Sequence, residues 1–119
     1  MIAAIRKIFK SVSYAMKGFR HAFRDDTSFR FEILIGLPIY VVVGYLLSPL
    51  SSLEWGLFVL SYNLILMIEL INTSIEKLLE RLHPEKHELI GHSKDIASAA
   101  VLLSFVFAGI TVLLLFFHS

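Results

Sequence analysis

The chain has no cysteine, only three prolines and six glycines in 119 residues, and almost no imbalance of charge, with 11 Lys and Arg against 10 Asp and Glu. Without cysteine a disulfide scaffold is excluded. A disordered tail is excluded by the 56% of hydrophobic residues, far above what unfolded segments carry. A net charge of +1 gives no overall basic field, so a nucleic-acid partner is not expected. Ordinary soluble domains are about 45–50% apolar even with glycine counted. A soluble globule of this length has too little interior to hide so much apolar surface. The composition describes one small integral membrane protein.

Charge is also absent locally. Ile33–Leu53, Trp55–Ile68 and Ile96–Ser119 contain no Asp, Glu, Lys or Arg. A spanning helix needs about 20 mostly apolar residues to cross about 30 Å of hydrocarbon. The third stretch meets this comfortably, and the first does so if it ends near Leu47, where Ser48-Pro49 and Ser51-Ser52 signal a turn. The second is interrupted by Glu69, about 24 Å along the helix from Leu53, which places that carboxylate near the far edge of the hydrocarbon. The expectation is an all-α integral membrane protein in a single domain, residues 1–119: an amphipathic helix over 1–24, then helices over about 31–48, 53–80 and 95–117 that include three spans.

The first helix is read from apolar residues at spacings of three and four (Ile5, Ile8, Phe9, Val12, Met16, Phe19, Phe23), with Arg6, Lys7, Lys10, Lys17, Arg20 and Arg24 on its other face. That pattern suits a helix lying in the membrane interface. Charges persisting to residue 24, with no small-residue cleavage site after an apolar run, argue against a signal peptide. Seven basic residues precede the first span, none lies in the turn after it, four lie between the second and third, and none follows. The positive-inside rule therefore expects a cytoplasmic N-terminus and an outward-facing C-terminus.

The second span carries the polar groups that most need explaining. At 100° per residue, Asn72, Thr73, Glu76 and Glu80 fall within about 60° of Glu69, all on one helical face. An ionisable residue inside a membrane helix is a functional-site hypothesis by default. The plainer readings are a helix leaving the bilayer with its carboxylates solvated, and Asn72 bonding a neighbouring span. Several carboxylates on one face repel each other unless a cation sits among them, and two or three carboxylates with an amide oxygen suit Mg2+. Asp25, Asp26 and Glu32 gather on the same side. Asp26-Thr27-Ser28 also reads as a helix cap, Asp95 as a cap favoured by the helix dipole, and Lys94 as a snorkelling anchor. Carboxylates for a metal and basic groups for phosphate, beside lipid, suit phosphoryl transfer to a lipid hydroxyl. No P-loop and no kinase glycine-rich loop is present.

The chain resembles the bacterial diacylglycerol kinase and undecaprenol kinase family of small membrane proteins. Glu69-Leu70-Ile71-Asn72-Thr73-Ser74-Ile75-Glu76 matches the family pattern of glutamate, asparagine three positions on, two small residues, a β-branched residue and a second glutamate. The segment from His87 to Val101, Lys17-Gly18-Phe19-Arg20 and Ser28-Phe29-Arg30-Phe31-Glu32 are similar to further family segments. The likeness covers almost the whole chain. It implies an ATP-dependent, Mg2+-requiring lipid kinase, a homotrimer with sites shared between subunits, converting diacylglycerol to phosphatidic acid at the inner leaflet of a bacterial inner membrane. Undecaprenol is the alternative acceptor, and the His87–Gly91 and Ser98-Ala99-Ala100 stretches lean toward diacylglycerol.

Carried over by position, the resemblance implies Glu69 as general base with Asn72 orienting the site, and Glu76 with Asp26 as metal carboxylates. Lys7, Tyr14, Asp26, Glu76, Glu85, His87, Lys94 and Asp95 fall at nucleotide positions. Arg20, Arg30, Glu32, Glu69 and Ser98 line or support the lipid side. Asp26 departs from the usual Glu and Glu80 from the usual Asp. Two other classes compete. A cation or proton transporter subunit needs polar groups continuing across the bilayer, whereas Trp55–Ile68 offers only Ser61, Tyr62 and Asn63 and the third span has no charge. A purely structural assembly protein would tolerate Glu69→Gln and Glu76→Gln.

Overall fold

The computed structural model describes residues 1–83 and 87–118. Its elements are α1 (Ile2–Asp25), α2 (Thr27–Phe31), a π-helical turn (Glu32–Gly36), α3 (Leu37–Leu47), α4 (Ser52–Leu82) and α5 (Glu88–His118). No strand occurs among the described residues. Three helical segments are long and apolar enough to cross a membrane: Thr27–Leu47, Ser52–Leu82 and Glu88–His118. The expected all-α membrane architecture is therefore what the chain adopts, and α1 is its additional helix.

Each boundary has a local cause. Asp26 leaves helical geometry (φ −104°, ψ 109°) and its side chain accepts from the Ser28 backbone N–H at 2.9 Å, capping α2. The cap reading of Asp26-Thr27-Ser28 is thus correct. Pro38 has no N–H to give Leu34, and the π-helical turn just before it takes up that break, so α2, the turn and α3 run on as one span. The turn after Leu47 ends in a reciprocal cap: Glu54 N–H donates to Ser51 Oγ at 3.1 Å, and Ser51 N–H to Glu54 Oε1 at 2.9 Å. The 31 residues of α4 rise about 46 Å, well beyond the hydrocarbon thickness of about 30 Å. Its C-terminal turns lie beside the end of α1, where Lys77 meets Asp25.

Packing runs through α4. Its buried residues, Phe58, Ser61, Tyr62, Ile65, Glu69, Asn72 and Thr73, form one face. Against it lies α5, whose buried positions are Ser104, Ala108 and Leu115. Small residues let two membrane helices approach closely. The Ser104 and Thr111 hydroxyls donate to the carbonyls of Val101 (2.6 Å) and Phe107 (2.9 Å), so neither is left unpaired in lipid. Away from the site, Leu47, Phe58 and Leu115 close the bundle with an apolar cluster.

Gly44 and Gly36 bring α3 and the π-helical turn onto α4. A Cβ at Gly44 would lie 2.7 Å from Phe58 Cε2 and 2.9 Å from Trp55 Cζ3, whereas one at Gly18 meets nothing within 4 Å. The Phe58 ring cannot retreat freely, because it stacks on Tyr40 with centroids 4.2 Å apart. Gly44→Val is therefore expected to destabilise the bundle by about 1–3 kcal/mol. Gly18→Ala, in an open helical position, should be neutral or stabilising by up to about 1 kcal/mol. Thermal unfolding in one detergent compares the two; equal melting temperatures would mean that α3 does not pack on α4 through Gly44.

Candidate functional site

The face of α4 opposite its lipid-exposed residues changes character along its length. Phe58 and Ile65 sit toward the closed end, Glu69 and Asn72 follow, and Glu76 reaches the mouth. Glu69 is 5% exposed and Asn72 8%, although both are polar and one is ionisable. A cleft of about 1120 Å3 runs along this face between the first span, α4 and α5. Its polar end is formed by Asp26, Glu32, Glu69, Asn72, Glu76 and Ser98, and its apolar length by residues such as Tyr40, Val43, Ile65, Val101, Phe105 and Val112. One end suits charge and the rest suits a hydrocarbon chain.

Glu69 is central to the polar end. Its carboxyl group shares the polar end of the cleft with those of Glu32, Asp26 and Glu76. The Asn72 amide donates from Nδ2 to Glu76 Oε1 at 3.2 Å, which orients the carboxylate and turns Asn72 Oδ1 inward. That oxygen and Glu32 Oε2 are buried with no hydrogen-bond partner among the described residues. A buried acceptor left unpaired is costly, so both are expected to meet a group brought in from outside. Thr73 links two elements: its hydroxyl lies at 2.9 Å from the Glu69 carbonyl and also hydrogen-bonds Asp26 Oδ2. Among the described residues no three His, Asp or Glu side chains converge as a complete metal cage. What they present is an incomplete hard-oxygen set, which fits Mg2+, since that ion is commonly bound by one or two carboxylates plus substrate phosphates.

Other expected residues lie outside this group. Lys94 is half-buried and pairs with Glu80 across α5 and α4 at 3.9 Å, which gives Glu80 a partner. Arg30 turns its guanidinium back to the carbonyls of Phe23 (3.3 Å) and Arg24 (3.0 Å), closing the end of α1. On α1, Lys7 lines a small separate hollow with Arg6 and Lys10. Tyr14 is exposed with the Lys17 ammonium 5.6 Å from its ring centre, and Arg20 is exposed too. His87 accepts the Leu89 N–H at 3.2 Å and Asp95 is exposed. None of Lys7, Tyr14, Arg20, His87 and Asp95 lines the cleft of a single chain. Glu85 lies outside the described residues.

Sequence reasoning gave no role to Tyr62, Tyr40, Ser61 or Gly36. Tyr62 donates to the backbone carbonyl of Glu32, inside the π-helical turn, and Tyr40 shares a hydrogen bond with Ser61. A Cβ at Gly36 would lie 2.8 Å from the Tyr62 hydroxyl, so glycine provides the room for that contact. A signal for Tyr62 was present, since it precedes Glu69 by two helical turns and falls about 20° from it on the wheel. The partners of these residues are on another helix and leave no local pattern.

The family described as prokaryotic diacylglycerol kinase matches residues 13–116. The chain belongs to this family. Diacylglycerol kinase of Helicobacter pylori (strain ATCC 700392 / 26695) is 36% identical over 102 residues, covering 86% of this chain and 78% of the relative. That of Escherichia coli (strain K12) is 34% identical over 105 residues, 88% of this chain and 84% of the relative. That of Haemophilus influenzae (strain ATCC 51907 / DSM 11121 / KW20 / Rd) is 31% identical over 103 residues, covering 87% and 86%. The matched region takes in the whole acidic group and all but the last two residues of the three spans, so this is a membrane-embedded lipid kinase, and the transporter and assembly-protein readings give way to it.

Proposed function

We propose that the chain transfers the γ-phosphoryl group of ATP to the hydroxyl of diacylglycerol, giving phosphatidic acid. The observation that carries this is the buried Glu69 where an apolar cleft meets a cluster of carboxylates. An acyl chain in the apolar length brings a glycerol hydroxyl to Glu69, while a charged donor approaches from the watery mouth. Glu69 accepts the hydroxyl proton as the lipid oxygen attacks phosphorus, and the bond from phosphorus to the ADP oxygen breaks. Asn72 orients Glu76, and Glu76 with Asp26 would hold Mg2+, which when bound neutralises phosphate charge. Glu32 sits beside Glu69 on the lipid side, with Arg30 and Ser98 in support.

Lys94, Asp95, Lys7, Tyr14, His87 and Glu85 are assigned to the nucleotide, and Arg20 to the lipid interface. Several of these lie away from the cleft of their own chain, which supports an oligomer in which a neighbour completes each site; that it is a homotrimer rests on the family resemblance. The distribution of basic residues supports a cytoplasmic N-terminus, a periplasmic C-terminus and a site at the inner leaflet of a bacterial inner membrane. The names of the relatives favour diacylglycerol over undecaprenol as acceptor.

Purified protein in mixed micelles with radiolabelled ATP, Mg2+ and either lipid tests this directly. Label is expected in the diacylglycerol fraction and should depend on Mg2+. Label chiefly in undecaprenol would transfer the proposal to that acceptor, and label in neither would end it.

A further inference from the structure

Two consecutive aspartates at the corner between α1 and α2 reach the same edge of α4. Asp25 Oδ2 accepts from Lys77 Nζ at 2.7 Å, and Asp26 Oδ2 accepts from the Thr73 hydroxyl. Thr73 and Lys77 are one helical turn apart, so the two contacts lie one above the other. Asp25 is also braced from its own helix: Arg24 Nε donates to Oδ1 at 2.9 Å and the guanidinium makes a second contact to Oδ2 at 3.3 Å. The same Nη2 that makes this second contact also meets His21 Nδ1 at 3.1 Å. We propose that Asp25 and Lys77 form a positioning clamp that holds the α1–α2 corner on α4 and so sets Asp26 at the mouth of the cleft. The proposal rests on the reading of Asp26 and Glu76 as the Mg2+ carboxylates.

The backbone explains why a clamp matters here. Asp26 is the one non-helical residue between α1 and α2, so the corner is where the surface helix can swing. An aspartate has a single methylene, and its carboxylate follows the backbone closely, unlike a longer side chain that can reach back. A lone exposed ion pair contributes little. Here one carboxylate is shared by two cations, and the pair joins segments far apart in the chain. The hydrogen bond from Arg24, and then that from Lys77, hold the Asp25 carboxyl well below the usual carboxylate range.

The test titrates Mg2+ at fixed ATP and diacylglycerol, using the full chain in mixed micelles. Lys77→Asp and Asp25→Lys are each expected to raise the half-saturating Mg2+ concentration roughly three- to tenfold, the scale of coupling within one network. The kcat at saturating Mg2+ should stay within about twofold for both, since neither residue touches the reacting atoms and network coupling is the only loss. The double variant Asp25→Lys with Lys77→Asp restores the pair and should return the requirement toward the parent. Lys77→Asp is the diagnostic substitution. It adds negative charge near the site, so a simple field effect would lower the Mg2+ requirement, whereas loss of the clamp raises it. The milder Lys77→Gln should shift the requirement less, in the same direction.

Asp26→Asn separates the clamp from the metal-binding role of Asp26. If Asp26→Asn raises the Mg2+ requirement and Lys77→Asp does not, the clamp is wrong and the metal reading stands. If Asp26→Asn leaves the requirement unchanged, both fall, because the clamp has nothing to position. Loss of kcat or melting temperature without rescue in the double variant would mean a structural contact only.

Discussion

Glu69→Gln should lower kcat by about 10²–10⁴-fold, the usual cost of removing a general base, while the protein remains folded. Glutamine has nearly the same shape and still hydrogen-bonds, so it fills the buried site that Glu69 occupies at 5% exposure. It cannot accept the proton of a lipid hydroxyl. The substitution also removes one carboxylate from a group containing Glu32, Asp26 and Glu76. Relief of like-charge crowding in a buried site should leave the melting temperature unchanged or raise it. Activity is thus expected to fall without loss of stability, a signature that a merely misfolded variant does not give. Turnover at the parental rate would remove Glu69 from the chemistry.

Glu76→Gln should act differently. Glu76 stands at the mouth of the cleft, half-buried, and receives the Asn72 amide at 3.2 Å. Its replacement keeps that contact through the side-chain carbonyl but removes the negative charge that would grip Mg2+. The half-saturating Mg2+ concentration should rise by at least about tenfold, since even supporting residues of metal sites cost about 10–100-fold in affinity. Much of the lost turnover should return at high Mg2+. An unchanged Mg2+ requirement, with kcat reduced as for Glu69→Gln, would move Glu76 from the metal to the proton transfer. Comparing the two titrations in one micelle preparation makes the distinction.

Much of this site was legible in the sequence because a helix repeats. Glu69, Asn72, Thr73 and Glu76 share a face by their spacing alone, and a carboxylate between Ile68 and Leu70 is conspicuous in an apolar run. The same arithmetic extends to Tyr62, but its partner is the Glu32 carbonyl on the first span. Periodicity predicts which face a residue occupies, not what waits opposite. Gly36 and Gly44 show this most clearly. In the sequence they are two glycines in a hydrophobic helix; in the fold they are the points where another helix comes within van der Waals contact. Lys94 and Arg30 show it for charge. Each is a basic residue near a span, yet one pairs with Glu80 and the other closes the end of α1.

The order of apolar and charged residues by itself determined that this chain enters a membrane, how many times it crosses, and which helical face carries its carboxylates. Those features follow from the cost of placing charge in hydrocarbon and from 3.6 residues per turn. Only the tertiary structure decided that Asp26 at the α1–α2 corner and Glu32 on the first span share the end of an apolar cleft with Glu69 and Glu76 of the second. That meeting depends on a break at Asp26, glycines that admit close approach, and polar contacts between helices distant in sequence. Such interactions arise from packing in three dimensions, and no local spacing encodes them.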